Sequence, residues 1–420
     1  MKEALFRYID ENKEALFETL SALIRIDTEN DGTHGRERAL AEYLRDEFAK
    51  LGLAGELYSP DEVPGLVDHP DYLPGRNLAD RPNITVKLPG TEGRRALMLA
   101  GHLDTVPIGD PALWTVPPTG GLIRDGRVYG RGANDDKFAF AVFLFLTGAM
   151  RKLGLRLKND LYLTGYVDEE FGGGDGALAC TVKYPCDFYI NLDSDALDIF
   201  PCAVGGQRLY ITLRALTPQN SCEAVIEGMY LAKKAIDVFG ARRRAELAEE
   251  PIFAGTGIPG DALRYMNISS GLNTNDRHIG VLDFAFYTDR EESEIRGELD
   301  ALFAEIGEKI APLGLVIDKI GYRSRFFRYT GTDGDDPEIL RLRCAVAAVT
   351  GREPRVIGSC LSDLSLFLRN SGGRAVSFGV GRDFGLYGGA HQPDEFADCG
   401  ELVALTKILV EYISDWDEAK

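Results

Sequence analysis

The sequence predicts an α/β protein in which one domain with a mostly parallel sheet is split by a smaller inserted α+β module. Short apolar runs alternate with helical segments through the first half of the chain. Near Gly205 the texture changes to strands with period-two alternation. After Arg323 the buried α/β texture returns. The domain boundaries drawn from these observations are 1–204 for the first part of the larger domain, 205–321 for the insert and 322–420 for the second part.

Taken in order, helical periodicity runs over 1–26 and again over 36–51. Residues 58–80 are rich in Pro, Asp and Gly and read as a long irregular loop. The runs 83–88, 96–100, 161–167 and 188–192 are short and apolar, as strands of a sheet covered on both faces are. Residues 135–150 are apolar on nearly every face, the pattern of a helix packed on such a sheet. In the insert, QRLYITLR at 207–214 alternates as a half-exposed strand does. A helix at 222–239, a loop, a strand at 281–288, an amphipathic helix at 291–309 and a strand over 313–320 follow. That order of strands and helices suits a small α+β module. A helix at 337–349, an apolar run at 375–379 and a helix at 400–413 complete the larger domain.

Composition narrows the function. The 420 residues hold 47 Lys+Arg against 66 Asp+Glu, a net charge of −19. An acid excess argues against a nucleic-acid partner and against an anionic membrane surface. A hydrophobic content of 45% supplies ample core, so the chain is globular rather than disordered. No stretch approaches the ~18 apolar residues of a membrane span. The N-terminal MKEALFRYIDENKEALFETL alternates charges and lacks the apolar core of a signal peptide. Seven cysteines, scattered and without CxxC spacing, fit reduced thiols in a cytoplasmic protein. A small-molecule substrate is the partner class that remains.

Chemistry gathers where apolar strands end. ALMLAGHLDT delivers His102 and Asp104, LYLTGYVDEEFGGG delivers Asp168, Glu169 and Glu170, and FYINLDSD delivers Asp193 and Asp195. Open α/β sheets build their sites at these carboxyl ends. GRGANDDK puts Asp135 and Asp136 just before the buried helix, and GGAHQPDEF brings His391 from a Gly-rich loop. Oxygen and imidazole donors without cysteine suit zinc, cobalt or manganese. Five convergent donors exceed the needs of one tetrahedral ion with an open position, whereas two ions sharing a carboxylate would use them all. Unneutralised, such closely placed carboxylates would repel and take up protons. Asp136, in contrast, reads as a charge favoured by the helix dipole.

In GHLDTVP (101–107), Trp114 with VPPTGG, DGRVYGRGANDDK (125–137), DEEFGGG (168–174) and GGAHQPDEF (388–396), the chain resembles the zinc aminoacylase, carboxypeptidase and deacetylase superfamily. That group includes acetylornithine deacetylase, succinyl-diaminopimelate desuccinylase, carboxypeptidase G and dipeptidases related to carnosinase. The five segments keep the family's order and spacing across nearly the whole chain. The resemblance implies a discontinuous zinc-hydrolase catalytic domain with an inserted ferredoxin-like lid, two zinc ions per subunit and a homodimer through the lid.

Carried over by position, it implies that His102 and Asp193 hold one zinc and that Glu170 and His391 hold the other, with Asp135 bridging. Glu169 would be the general base, and Asp104 would accept the second ring N–H of His102. For the third acidic ligand LDSD offers Asp193 or Asp195, and Asp193, directly after the apolar run, is preferred. Relatives often carry Glu-Pro there, or Asp in the dipeptidase branch.

The lid departs from the family. Where many relatives have a Gly-x-x-x-His-Ser segment, this chain reads LRALTPQNSCEAV (213–225), and His278, the only histidine left in the insert, is the candidate to replace that histidine at the substrate. Asn273 and Arg290 resemble substrate-binding lid residues; Arg290 suits either a substrate carboxylate or a structural salt bridge. The implied activity is cleavage of the amide bond of an N-acyl amino acid. A dipeptidase or carboxypeptidase is the alternative, and a catalytically silent relative that binds a peptide or amino acid is a third reading.

Overall fold

A computed structural model describes residues 1–217, 221–272 and 277–418. The chain divides into two units: Met1–Pro201 with Thr332–Val356 and Leu366–Lys420, and Cys202–Gly331 with Ile357–Ser365. The first unit begins with α1 (Lys2–Ile24), α2 (Arg38–Lys50), β1 (Gly55–Tyr58), β2 (Asn83–Leu88), β3 (Ala96–His102), β4 (Leu122–Arg124) and β5 (Arg127–Tyr129). It continues with α3 (Lys137–Lys152), β6 (Asp160–Tyr166), α4 (Asp175–Lys183) and β7 (Phe188–Asn191). After β8 (Ile199–Ala203) come β9 (Gly205–Ala215), α5 (Ser221–Glu249), β10 (Leu263–Leu272), β11 (His278–Thr288), α6 (Glu292–Ile310), β12 (Leu315–Tyr322) and β13 (Thr330–Gly331). The chain ends with α7 (Pro337–Thr350), β14 (Val356–Ser359), α8 (Leu364–Asn370), β15 (Ala375–Ser377), β16 (Phe396–Asp398) and α9 (Cys399–Glu418).

The main sheet of the first unit runs β1-β2-β6-β3-β7-β15. Its central strands β6, β3, β7 and β15 are parallel, and β1 and β2 join antiparallel at the edge. Parallel strands must be covered on both faces, and α3 shows how this sequence does it. Every residue from Lys137 to Thr147 is buried. Leu97 and Leu99 of β3, Phe140 and Phe143 of α3, Ile190 of β7 and Leu409 of α9 share one apolar core. Each such buried side chain stabilises the fold by about 1.5–3 kcal/mol. The register pairs His102 with Tyr166, so β3 and β6 end side by side and the chain leaves both at one edge of the sheet.

The second unit has an antiparallel sheet, β10-β11-β9-β12, crossed by α5 and α6. Its core contains Leu209, Ile211, Ile236, Phe239, Phe284 and Leu302. The order βαββαβ is the ferredoxin-like arrangement that the family resemblance implied. Two details differ from expectation. Strand β10 lies where the sequence suggested a loop, because this edge strand leaves Met266, Ile268 and Leu272 exposed and shows little alternation. Helix α5 runs on to Glu249 rather than ending at 239. Gly240, inside the helix, lets Leu263 approach: a Cβ there would meet Leu263 Cδ2 at 2.5 Å.

Candidate metal centre

The site belongs to the first unit and is assembled from strand ends and loops. His102 is the last residue of β3 and is fully buried. Its Nδ1 lies 2.9 Å from the backbone carbonyl of Asp104. A carbonyl only accepts, so Nδ1 carries the proton and Nε2 faces the site. This corrects the expected role of Asp104: its carboxylate is 3.8 Å from Nδ1, and the main-chain oxygen does the orienting. The Asp104 carboxylate instead accepts the backbone N–H of Glu169 at 3.1 Å and of Glu170 at 3.2 Å, and the Asn30 amide at 2.9 Å. It organises the loop that carries the two glutamates.

Asp135 stands between two histidines. Its Oδ1 is 2.7 Å from His102 Nε2, and its Oδ2 is 3.2 Å from His391 Nε2. His391 Nε2 is also 2.7 Å from Glu170 Oε2. Glu170 is anchored through its other oxygen by the Val106 N–H at 3.0 Å. Donor atoms of His102, Asp135 and Glu170 form one group lying within 4.8 Å of one another, and those of His102, Glu169 and Asp193 form a second. Asp195 enters neither group among the described residues. It lies two residues on, where the chain bridges to Gly381, and its carboxyl is pushed up to about 6 by burial and the Asp383 charge.

Electrostatics tests whether these donors fit a divalent cation. Burial, then the charge of Asp135, pushes the Asp193 carboxyl up to about 7. Glu170 is raised for the same two reasons. Burial acts to raise Asp135 too, but hydrogen bonds to His102 and His391 outweigh it and hold that carboxyl low. Burial pulls both histidines down, yet their carboxylate neighbours win and raise them, His391 to about 11. A carboxylate oxygen and an imidazole lone pair at 2.7 Å repel unless a cation, proton or metal, lies between them. With oxygen and imidazole donors and no thiolate, the set fits zinc, manganese or cobalt.

The surrounding residues explain how an acid-rich cluster is held. Asp136, read from sequence as a helix-end charge, is fully buried, and its Oδ2 accepts the His102 N–H at 3.2 Å. The sequence hid this because it does not show that the start of α3 lies under β3. Glu395, inside the GGAHQPDEF segment, accepts the Asn134 N–H at 2.9 Å and pairs with Arg131, whose guanidinium also reaches the His391 carbonyl at 3.3 Å. Burial pushes Glu395 up to about 7 against the opposing charge of Arg131. Its place inside a quoted motif was the signal for it. No signal marked Asn30, Arg76 or Arg81, which reach the site from distant loops.

The lid residues behave differently. His278 opens β11 and its Nδ1 shares a hydrogen bond with the Ser221 hydroxyl at the start of α5. Arg290 pairs with Glu294 at 3.0 Å and Glu246 at 3.3 Å, the structural salt bridge of its two readings. Asn273 lies outside the described residues.

Fold and donor set define a metal-dependent hydrolase of the α/β type with an inserted lid. The chain belongs to peptidase family M20/M25/M40, whose model matches residues 98–415; it is a hydrolase of amide or peptide bonds. It is 24% identical to the N-formyl-4-amino-5-aminomethyl-2-methylpyrimidine deformylase of Bacillus subtilis (strain 168) over 456 residues, 99% of this chain and 98% of that one. The protein of the same name from Halalkalibacterium halodurans is 26% identical over 283 residues, 66% of this chain and 56% of its relative. Among solved structures, the di-peptidase Dug1p from Saccharomyces cerevisiae matches over 100% of both chains with TM-score 0.73 and 15% identity, a likeness of fold. Among the described residues no helix is long and apolar enough to cross a membrane.

Proposed function

We infer that the protein is a dinuclear zinc hydrolase that removes the acyl group from an N-acyl amino acid. The observation that carries this reading is the Asp135 carboxylate, which turns one oxygen to His102 at 2.7 Å and the other to His391 at 3.2 Å. In this reading His102 and Asp193 would hold one ion, Glu170 and His391 would hold the other, and Asp135 would be shared. Cobalt or manganese would suit the same donors. When bound, such ions polarise a carbonyl and acidify water near neutral pH. The chain's own residues do the rest. The Asp104 carbonyl fixes the His102 tautomer, the Val106 N–H holds Glu170, and the Asp104 carboxylate holds the amides of the Glu169–Glu170 pair. Glu169 takes the proton of the attacking water on a carboxylate oxygen and returns it to the departing nitrogen.

The deformylase relatives, named for removing an acyl group from an amine, support the deacylase form. Asp rather than Glu-Pro at 193 favours a dipeptidase as the second reading. The presence of Glu169 beside this donor set argues against a silent binding protein. The reading includes a cytoplasmic location, supported by cysteines without disulfides, and a homodimer through the second unit, supported by Met266, Ile268 and Leu272 exposed on edge strand β10.

Metal analysis with assays on N-acyl amino acids and dipeptides tests the function. Two zinc ions per chain are expected, with turnover falling about 10²–10⁴-fold in Glu169→Gln while metal is retained. Full activity in that variant would remove Glu169 from the mechanism, and a protein that takes up no metal would refute the centre.

A further inference from the structure

Both glutamates of the site follow Asp168, and Asp168 has an unusual backbone. It is fully buried with φ of 67°, in the left-handed region that costs a non-glycine residue about 1 kcal/mol or more. That turn swings the chain out of β6 so that the next two N–H groups meet the Asp104 carboxylate at 3.1 and 3.2 Å. Asp168 is held there by guanidinium groups. Arg76 grips it as a fork, Nε at 2.7 Å and Nη2 at 2.6 Å, and Arg81 Nη1 adds a bond at 2.9 Å. Arg81 is in turn locked onto buried Glu37 by Nε at 3.0 Å. Gly173 packs so closely that a Cβ there would lie 1.8 Å from Asp168 Oδ2.

Arg76 comes from the irregular segment between β1 and β2, and its side chain keeps 15% exposure. The segment has other anchors: the Leu73 N–H to Asp175 at 3.0 Å, and Asp71 to Arg369 Nε at 3.0 Å. Neither touches Asp168. The Arg76 fork is therefore not needed simply to fasten the loop. What it adds is two directed, charge-assisted bonds on the residue that aims the glutamates.

We propose that Arg76 is a positioning residue, whose fork on Asp168, backed by Arg81, sets the placement of Glu169 and Glu170. This rests on the reading of Glu169 as the base and Glu170 as a ligand. It makes the segment between β1 and β2 part of the site, although none of its residues belongs to the donor set.

The test compares wild type, Arg76→Gln, Arg76→Lys and Arg369→Gln by zinc titration against a chromophoric chelator, by kcat and KM on an N-acetyl amino acid, and by melting temperature. Arg76→Gln is expected to lose about 10–100-fold in affinity for the weaker zinc or in kcat, the usual effect of removing a group that orients a ligand, with KM little changed. Arg76→Lys, a charge without a fork, recovers only part of the loss. Arg369→Gln loosens the same loop through Asp71 and keeps wild-type zinc affinity and kcat. Wild-type values in Arg76→Gln, or equal losses in Arg369→Gln, would overturn the proposal and leave the hydrolase reading standing. A wild-type protein that binds no zinc would overturn both, and the titration reads that outcome separately from the variants.

Discussion

His102 shows how a single side chain acquires its task. With Nδ1 committed to the Asp104 carbonyl, its remaining nitrogen has one direction in which to act, toward Asp135. The neighbouring groups set a definite dependence on pH. Folded Asp193, pushed up to about 7 by burial and Asp135, keeps a proton that the unfolded chain gives up near ~3.9. Folded His391, raised to about 11 because Glu170 and Asp135 outweigh its burial, keeps a proton that the unfolded chain loses near ~6.5. In both cases the folded state is the better proton binder, so stability falls as pH rises: from about pH 4 through 7 for Asp193, and from about 6.5 to 11 for His391. Protein stripped of metal is therefore expected to melt at progressively lower temperature between roughly pH 5 and 8, and saturating zinc is expected to flatten that slope by the share of Asp193 and His391, leaving the share of buried Glu395 and Glu37. Calorimetry with and without zinc measures it; a metal-free melting temperature that climbs across the window would contradict the assignment.

Strand β3 and helix α3 illustrate what can and cannot be read locally. The all-round apolar surface of α3 announced its burial, and its neighbours Leu97, Leu99 and Ile190 are the core expected for a covered sheet. The close approach of the two elements was not legible, since it depends on Gly101. A Cβ at that position would meet Asp136 Oδ2 at 2.6 Å and Ala139 Cβ at 2.8 Å. Gly101→Ala is expected to cost about 1–3 kcal/mol, because β3 or the start of α3 must shift. Since His102 is the next residue, zinc affinity should fall as well. Urea unfolding and zinc titration on the same variant check the two effects, and loss of neither would show that the contact relaxes freely. Strand β10 failed to announce itself for a different reason. An edge strand with Met266, Ile268 and Leu272 turned outward lacks the apolar–polar alternation by which strands are recognised.

The two units divide the labour: every proposed metal ligand lies in the first, while β9 to β12 with α5 and α6 contribute none. Chelating the metal is therefore expected to deprotect amides around 100–105, 133–138, 167–173 and 389–393 in hydrogen exchange and to leave the sheet of the second unit unchanged. Equal loss in both units would mean that the metal supports the whole chain. Residues 357–365 group with the second unit, although they follow Thr332–Val356 of the first. The net charge of −19 also has a local meaning, for its buried share at the centre calls for cations rather than solvent. Much of this protein was present in its one-dimensional pattern: apolar periodicity marks which faces must be buried, and donors at strand ends mark where chemistry collects. The pattern could not supply which oxygen of Asp104 meets His102, the burial of Asp136, or the reach of Arg76 to Asp168. Those depend on side chains brought together from loops far apart in the chain, and local periodicity carries no record of such meetings.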